Sequence, residues 1–253
     1  MLLAEERRLR IVDWTLNDGR IDAAEAANKL GVATETVRRD LDVLQRRGIL
    51  RRVHGGAIAL ERFAHEYTIS ERLNRNSDAK RRIAETAAQY IPREGCIFVD
   101  GGTTTEFLAN TLRNRKDLLV VTNSVTLASK IADSSTKTHM LGGRIRPTTL
   151  SAVGAKTVED LRQLNAVVSF IGVNGISPEL GLTAYDTDEA LVKHIMIENS
   201  VERIVLADNS KFGSVYPVNF GGPKDVDRLV TDLETDDSFI DRFTSSGVEV
   251  VVA

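Results

Sequence analysis

The sequence predicts a two-part α/β protein, with a small helix-rich head followed by a larger body built on a mostly parallel sheet. The first sixty residues contain short amphipathic helices and a basic hairpin, whereas the remainder alternates apolar strand-like runs with amphipathic helices. The length of 253 residues suits two unequal domains. We therefore expect a head at residues 1–60, a linker at 61–77 and a body at 78–253.

Two short helices are predicted at the start of the head. The first covers about residues 4–16 and contributes apolar side chains to a small core. Asp22 can cap the second, at residues 23–30, because its carboxylate accepts hydrogen bonds from the free amides of the first turn. Gly31 ends this helix, since glycine readily takes the left-handed conformation that follows a last helical turn.

A longer third helix follows, with Thr34 as its expected N-cap and Gly48 just beyond its end. Three apolar residues recur on one face of it: Val37, Leu41 and Leu44. Residues 49–53 and 57–60 then flank the sequence HGG, which predicts a β-hairpin.

Positive charge is concentrated on the third helix and the hairpin. Residues 38–54 carry six arginines against two aspartates, whereas the whole chain has a net charge of −3. A short helix, a glycine-containing turn, a longer polar-faced helix and a basic hairpin form the winged helix-turn-helix layout, which binds duplex DNA. A winged helix that contacts proteins, with its charges merely solvated, is the alternative. The residues expected to contact DNA are Thr34, Glu35, Thr36, Arg38, Arg39, Arg46, Arg51, Arg52 and His54.

The body is predicted to alternate strands with helices around a largely parallel sheet. Strands are expected at residues 96–99, 118–122, 138–141, 166–171, 204–207, 228–231 and 248–252. Helices are expected at residues 78–90, with Ser77 or Asp78 as cap, and at 104–113, 125–133, 155–164 and 188–199. Ligands bind such sheets at the carboxyl ends of the strands, where loops carry the polar groups.

Polar loops follow several of these strands. The loop DGGTTT, residues 100–105, offers two glycines that let a ligand approach the backbone and three threonines at a helix start, which suits a phosphate. Taken alone, it could equally be a tight turn with a cap. Similar loops at 122–124, 142–144, 172–175 and 208–211 favour a shared ligand site. Glu189 and Lys193, four residues apart, alone indicate a surface ion pair.

Two sets of motifs carry a resemblance to a known family. TETVRRDLDVLQRRGILRRVHGGA resembles the DNA-binding head of the DeoR family of bacterial transcription regulators. DGGTTT, VTNS, LGGR, GVNGI, GLT, DEALVKHIMI and LADNSKFG resemble that family's effector-sensing domain, which is similar in fold to ribose-5-phosphate isomerase. The resemblance covers nearly the whole chain. It implies a regulator of carbohydrate metabolism genes, expected to be a repressor, whose body binds a phosphorylated sugar.

The resemblance also implies a set of effector-binding residues. Residues 102–105 would hold the phosphate, and side chains from other strand ends would line the sugar. The implied residues are Asp100, Gly101, Gly102, Thr103, Thr104, Thr105, Asn123, Asn174, Glu189, Lys193, Asp208 and Lys211.

Two functions remain open at this point: a ligand-responsive DNA-binding repressor, and a sugar-phosphate isomerase with a DNA-binding head. Asn174 stands where the related isomerases would carry an aspartate, and an amide cannot act as a general base. Glu189 is a conceivable base. We favour the repressor and expect no enzyme activity and no catalytic residue.

Composition bounds the remaining expectations. Cys96 is the only cysteine, and the four histidines match no metal-ligand spacing, so we expect neither a metal nor a cofactor. Because the sequence has neither a signal peptide nor an apolar run of membrane-spanning length, we expect a cytoplasmic protein with no membrane partner. A single head buries too little surface for tight binding to operator DNA, so we expect a homodimer or homotetramer.

Overall fold

The structure, a computed structural model, describes residues 7, 8, 10, 11, 14, 15, 20–46, 50–53, 55–59, 66–178 and 180–253. The side chains of residues 46, 51 and 59 also lie outside the described part. The chain divides into two compact units, Met1–Glu66 and Tyr67–Ala253. The division falls between residues 66 and 67, within the segment 61–77 that the sequence analysis expects to be a linker.

The smaller unit has the helices and the hairpin that the sequence predicts. Its elements are β1 (Arg20–Asp22), α1 (Ala23–Leu30), α2 (Thr34–Arg46), β2 (Leu50–Val53) and β3 (Gly56–Ala59). Asp22 caps α1 by accepting from the amides of Ala24 and Glu25, and Gly31 ends it with a φ of +64°. The described residues of the stretch 4–16 are helical, whereas Gly48, Ile49 and Leu60 fall outside the described residues.

Two features of this unit differ from the prediction. Thr34 is the first helical residue of α2 and not its cap, because the carbonyl of Ala33 already accepts from the amide of Val37 at 3.3 Å. Strand β1 was not predicted, and it pairs antiparallel with β3 to give the sheet order β1-β3-β2. A Cβ on Gly56 would lie 1.9 Å from the carbonyl oxygen of Ile21, so only glycine allows this pairing.

The larger unit alternates helices and strands. Its helices are α3 (Ile69–Asn74), α4 (Ser77–Ala87), α5 (Ala109–Leu112), α6 (Val125–Ile131), α7 (Ala155–Leu161), α8 (Thr187–Glu198) and α9 (Asp237–Ser245). Its strands are β4 (Gly95–Val99), β5 (Leu118–Thr122), β6 (Lys137–Met140), β7 (Arg144–Arg146), β8 (Ser151–Val153), β9 (Ala166–Gly172), β10 (Gly175–Ser177), β11 (Gly181–Ala184), β12 (Ser200–Leu206), β13 (Val218–Gly221), β14 (Arg228–Thr231) and β15 (Glu249–Val252). Short 3-10 helices cover Ala88–Tyr90, Thr105–Leu108, Asn209–Lys211 and Pro223–Asp225.

A seven-stranded parallel sheet forms the centre of the larger unit, in the order β15-β14-β12-β9-β4-β5-β6. These seven strands are the seven that the sequence predicts. Along β4, Ile97 and Val99 pack into one hydrophobic cluster and Phe98 packs into another, since successive side chains point to opposite faces. Helices pack against both faces of the sheet. The polar loops lie at its carboxyl edge.

Several shorter elements were not predicted. Strands β7 and β8 pair with each other, and β10, β11 and β13 form a small antiparallel sheet. The helix expected at 104–113 is instead a 3-10 helix followed by α5. Asn76, with a φ of +52°, occupies the cap of α4, so neither Ser77 nor Asp78 is the cap as expected. Within the described residues, no helix has the length and apolar character needed to cross a membrane.

Candidate functional site

Helix α2 of the smaller unit carries exposed polar side chains on its N-terminal half. The side chains of Arg38 and Arg39 are 56% and 80% exposed, and each lies near Glu35, at N–O distances of 3.6 and 4.0 Å. The opposite face buries Val37 and Leu41 completely. Two arginines on the outer face of such a helix can reach phosphates or guanine edges in a major groove.

A buried ion pair holds α2 against the first helical residues. Asp40, 2% exposed, accepts from Nε of Arg7 at 2.5 Å and from Nε of Arg8 at 2.9 Å. Asp40 is not among the site residues predicted from the sequence. Its contacts fix the rotation of α2, and with it the direction in which Arg38 and Arg39 point.

The hairpin is tied to the same helix. Arg52 pairs with Asp42 at 3.1 Å and donates to the carbonyl of Gly56 at 3.1 Å, while its backbone amide donates to Oε1 of Gln45 at 2.8 Å. Arg52 therefore braces the hairpin, and its predicted DNA contact stays a prediction. His54 and the side chains of residues 46 and 51 lie outside the described residues.

A narrow cleft in the larger unit lies at the carboxyl ends of β4 and β9, beside α8. Eight of the twelve residues implied for effector binding line it: Gly101, Gly102, Thr103, Thr104, Asn174, Glu189, Lys193 and Lys211. Arg72, Gly172 and Val173 also line it. Arg72 lies in the segment 61–77 that the sequence analysis predicts as a linker. In that segment Thr68 and Glu71 form a capping box, and their spacing is a sequence signal for an ordered helix that the prediction missed.

Asp100 lies behind the cleft and positions two of its components. Its Oδ2 accepts from Nζ of Lys193 and from the amide of Gly172, the latter at 3.0 Å. Lys193 also donates to the carbonyl of Gly172 at 3.0 Å. The side chains of Asp100 and Lys193 are almost fully buried. Because Glu189 is buried as well, Glu189 and Lys193 do not form the exposed surface pair that their spacing alone suggests.

Asn123 and Thr105 brace the glycine-rich loop. Oδ1 of Asn123 accepts from the amide of Gly101 at 2.8 Å, and a Cβ on Gly101 would lie 2.1 Å from Oγ of Ser151. The hydroxyl of Thr105 donates to the carbonyl oxygens of Asp100, at 2.7 Å, and Gly102, at 2.9 Å. The loop is therefore held by its own chain, with residues 101–104 left on the cleft wall.

Glu189 is buried in the cleft wall among polar partners. Thr149 donates to its Oε1, and Nη1 of Arg146 lies 3.6 Å from its Oε2. Burial raises the pKa of Glu189 above its usual value, against the opposing effects of Lys193, Thr149 and Arg146. The carboxyl oxygens of Glu189 can accept hydrogen bonds from a hydroxyl group.

Asp208 is fully buried next to Lys211. Its Oδ1 accepts from Asn76 at 2.9 Å and from the amide of Ser210 at 3.1 Å, while its Oδ2 has no hydrogen-bond partner. Burial alone would raise the pKa of Asp208, but Lys211, Ser210 and Asn76 outweigh it and hold the pKa below its usual value. Asp208 is therefore ionised at neutral pH and interacts electrostatically with Lys211.

The loop at 142–144 does not join the cleft. Arg144 pairs instead with Asp188 at 2.8 Å on the outside of α8. Ser124, in the loop 122–124, caps α6 by accepting from the amide of Leu127 at 3.1 Å.

Both units match family models. Residues 7–63 match the DeoR-like helix-turn-helix domain, and residues 75–233 match the DeoR C terminal sensor domain. The chain belongs to the DeoR family. This DeoR-family protein is a DNA-binding transcriptional regulator, as the sequence predicts.

Three relatives are similar to this chain along nearly their whole length. The transcriptional regulator FruR of Bacillus subtilis, which is named as uncharacterized, is 35% identical over 92% of this chain and 93% of its own. The transcriptional regulator GlpR of Haloferax volcanii is 32% identical over 99% and 98%. The glycerol-3-phosphate regulon repressor of Escherichia coli is 29% identical over 97% of each chain.

Among solved structures, ribose-5-phosphate isomerase A of Neisseria gonorrhoeae is similar over 59% of this chain and 56% of that chain. The identity is 19% and the TM-score is 0.40, a level of similarity from which no function follows.

Proposed function

We propose that this DeoR-family regulator is a repressor of carbohydrate metabolism genes, controlled by a phosphorylated sugar that binds in the body cleft. The observation that carries the proposal is the wall of the cleft. There Gly101, Gly102, Thr103 and Thr104 line one cavity together with Lys211. Threonine hydroxyls and a lysine ammonium group are donors from which a phosphate accepts, and the two glycines let a phosphate approach the backbone closely.

The opposite side of the cleft suits the sugar. Asn174 supplies an amide that both donates and accepts, and Glu189 supplies a carboxyl group with a raised pKa. The amide can donate to and accept from sugar hydroxyls, and the carboxyl oxygens can accept from them. The expected ligand therefore has an anionic end and a polyhydroxylated end.

The proposed role of the head is to place α2 in the major groove of operator DNA. Residues 1–60 are proposed as the DNA-binding domain, with Arg38 and Arg39 contacting bases or adjacent phosphates. One recognition helix with two exposed arginines offers few specific contacts, so a homodimer or homotetramer that reads repeated half-sites is proposed. Sedimentation analysis of the purified protein measures this state directly. Because operator DNA is the proposed partner, a cytoplasmic location is proposed as well.

Isomerase chemistry is the competing function, and the cleft does not favour it. Asn174 cannot remove a proton, and Glu189 is buried between Thr149 and Arg146. We therefore propose that the ligand is bound and released unchanged. Conversion of an aldose phosphate to a ketose phosphate by substoichiometric protein, followed by NMR, would contradict this.

A thermal-shift screen tests the proposed function. The panel contains glucose 6-phosphate, fructose 1-phosphate, fructose 6-phosphate, glycerol 3-phosphate and their unphosphorylated parents. A ligand that binds only the folded protein raises its melting temperature. We expect a shift from a phosphorylated compound and none from its parent, and loss of that shift in Lys211→Ala but not in Lys224→Ala, which is exposed and outside the cleft. Equal shifts from a phosphorylated compound and from its unphosphorylated parent would contradict the proposed phosphate site.

A further inference from the structure

We propose that Thr149, in the loop between β7 and β8, is a positioning residue that orients the carboxyl group of Glu189 towards the hydroxyl groups of the effector. This role rests on the proposed function. Thr149 lies outside the motifs that carry the family resemblance, and it is not among the residues that line the cleft. The ability to distinguish a sugar phosphate from a bare phosphate would therefore depend on a side chain behind the cleft wall.

The carboxyl group of Glu189 has a partner for each of its oxygens on the β7–β8 hairpin. Oγ1 of Thr149 donates to Oε1, and Nη1 of Arg146 lies 3.6 Å from Oε2. Thr149 and Glu189 are 3% and 5% exposed, and Glu189 lines the cleft. A threonine hydroxyl has a single hydrogen to donate, so its bond to Oε1 restricts the rotation of the carboxyl group.

The backbone of Glu189 is fixed by a separate set of contacts. Asp186 caps α8 by accepting from the amides of Asp188 and Glu189, each at 3.0 Å. Nε of Arg146 lies 3.4 Å from Oδ2 of Asp186, which ties this cap to the same hairpin. With the backbone held, the side-chain torsions of Glu189 are its remaining freedom, and the bond from Thr149 limits them.

The loop that carries Thr149 is itself held on both sides. The carbonyl of Thr148 accepts from the amide of Ile69 at 2.8 Å, and the carbonyl of Leu150 accepts from the amide of Val125 at 3.0 Å. Ile69 and Val125 are the first residues of α3 and α6. The hydroxyl of Thr149 therefore acts on Glu189 from a backbone that two helices hold in place.

Leu150 shows that this loop is strained. Its φ is +50°, in the left-handed region that a leucine rarely adopts. Such a conformation persists where surrounding contacts enforce it, and it is frequent beside ligand-binding groups. The strained residue directly follows Thr149, so the conformation of the loop and the position of the Thr149 hydroxyl are set together.

The test compares Thr149→Val with Thr149→Ser. Valine keeps the branched shape of the side chain but cannot donate to Glu189, whereas serine keeps the hydroxyl group. Thr136→Val is the matched control, because Thr136 is 6% exposed, donates to the carbonyl of Leu112 at 2.6 Å and lies outside the cleft. Thr149→Ala is used if the valine variant folds poorly.

Calorimetric titration uses two ligands. The first is whichever of glucose 6-phosphate, fructose 1-phosphate, fructose 6-phosphate and glycerol 3-phosphate gives the largest thermal shift, and the second is inorganic phosphate. Thr149→Val should bind the first ligand about 3- to 30-fold more weakly than the native protein, while Thr149→Ser and Thr136→Val stay within about twofold. Inorganic phosphate has no sugar hydroxyls, so its affinity should be the same for Thr149→Val and the native protein. A purely structural role would weaken both ligands alike.

A double-mutant cycle shows whether Thr149 acts through Glu189. In the Glu189→Ala background, the carboxyl group that Thr149 orients is absent. Adding Thr149→Val to that background should change the affinity for the phosphorylated compound by less than about twofold. An equal loss in both backgrounds would mean that Thr149 does not act through Glu189.

The outcomes separate this role from the proposed function. If Thr149→Val binds the phosphorylated compound as the native protein does, or loses affinity for inorganic phosphate to the same extent, the role of Thr149 is wrong and the proposed function stands. If the native protein binds inorganic phosphate but none of the four phosphorylated compounds, the contact with the sugar is wrong and the phosphate site stands. If it binds neither, both proposals are wrong.

Discussion

Replacing Asp100 by asparagine removes the negative charge from a buried ion pair while keeping the shape of the side chain. The side chains of Asp100 and Lys193 are 1% and 6% exposed, and Asp100 also accepts from the amide of Gly172. The ammonium group of Lys193 would remain buried with the carbonyl of Gly172 as a hydrogen-bond partner but without its ion-pair partner. The substitution therefore tests whether this pair holds the cleft together.

The expected loss follows from burial. Removing one partner of a buried ion pair typically costs about 3–5 kcal/mol, whereas an exposed pair contributes about 0–1 kcal/mol. For a unit of this size, each kcal/mol lowers the melting temperature by roughly 2–4 °C. We expect Asp100→Asn to lower the melting temperature of the larger unit by roughly 6–20 °C. The double variant Asp100→Asn/Lys193→Met, which removes both charges, should recover much of this loss.

The sequence provides separate probes for the two units. Trp14 is the only tryptophan and lies in the smaller unit, whereas all four tyrosines lie in the larger one. Tryptophan fluorescence therefore follows the head, and the near-ultraviolet signals of the tyrosines follow the body. The transition of Trp14 should be unchanged in Asp100→Asn.

An exposed ion pair gives the matched control. Arg113 and Asp133 lie 2.8 Å apart, with side chains 38% and 75% exposed. Asp133→Asn should lower the melting temperature by no more than a few degrees. If Asp100→Asn is no more harmful than Asp133→Asn, the reasoning about the buried pair is refuted.

Four further predictions concern the head and α4. Gly56→Ala places a Cβ 1.9 Å from the carbonyl of Ile21, so it should lower the Trp14 unfolding midpoint and leave the body transition in place. Burial lowers the pKa of Lys80 to about 8, so the folded state binds fewer protons than the unfolded state above that pH. The free energy of unfolding should therefore rise from pH 8 to pH 10 relative to Lys80→Met, and parallel pH profiles would contradict this. In anisotropy titrations, Arg38→Ala should weaken a selected operator by about 1–3 kcal/mol more than random duplex DNA. Arg52→Ala should weaken all duplexes alike and lower the Trp14 midpoint, because Arg52 braces the hairpin; a preserved midpoint would contradict the bracing role.

The central sheet was predictable because its strands are buried on both faces. Such strands appear as continuous apolar runs bounded by polar loops, as in β5 and β9. The strands β10, β11 and β13 have three or four residues each, and two of them begin with glycine. The pairing of β11 with β13 joins residues far apart in the sequence, such as Thr183 and Asn219, and no local pattern records it.

The sequence predicted loops that line the cleft. It did not predict which residues of those loops face the ligand and which ones brace the loop. Glycines and threonines after a strand indicated a wall that faces a ligand, and residues 101–104 line it. Whether Asp100 faces the ligand or braces the loop depends on Lys193, which is 93 residues away. Arg72 lies in a polar stretch without clear periodicity, so only the three-dimensional contacts of α3 bring it to the cleft.

Control of the head by the body cleft is tested most directly by titrating the sugar phosphate into a complex of the protein with an operator selected from random duplexes. Fluorescence anisotropy measures the Kd for DNA at ligand concentrations that saturate the thermal shift. The account predicts that the phosphorylated sugar weakens operator binding by about 5- to 150-fold, the usual range of coupling between sites, and that its unphosphorylated parent and the Lys211→Ala variant show no such change. An operator Kd that stays constant while the cleft is saturated would contradict it.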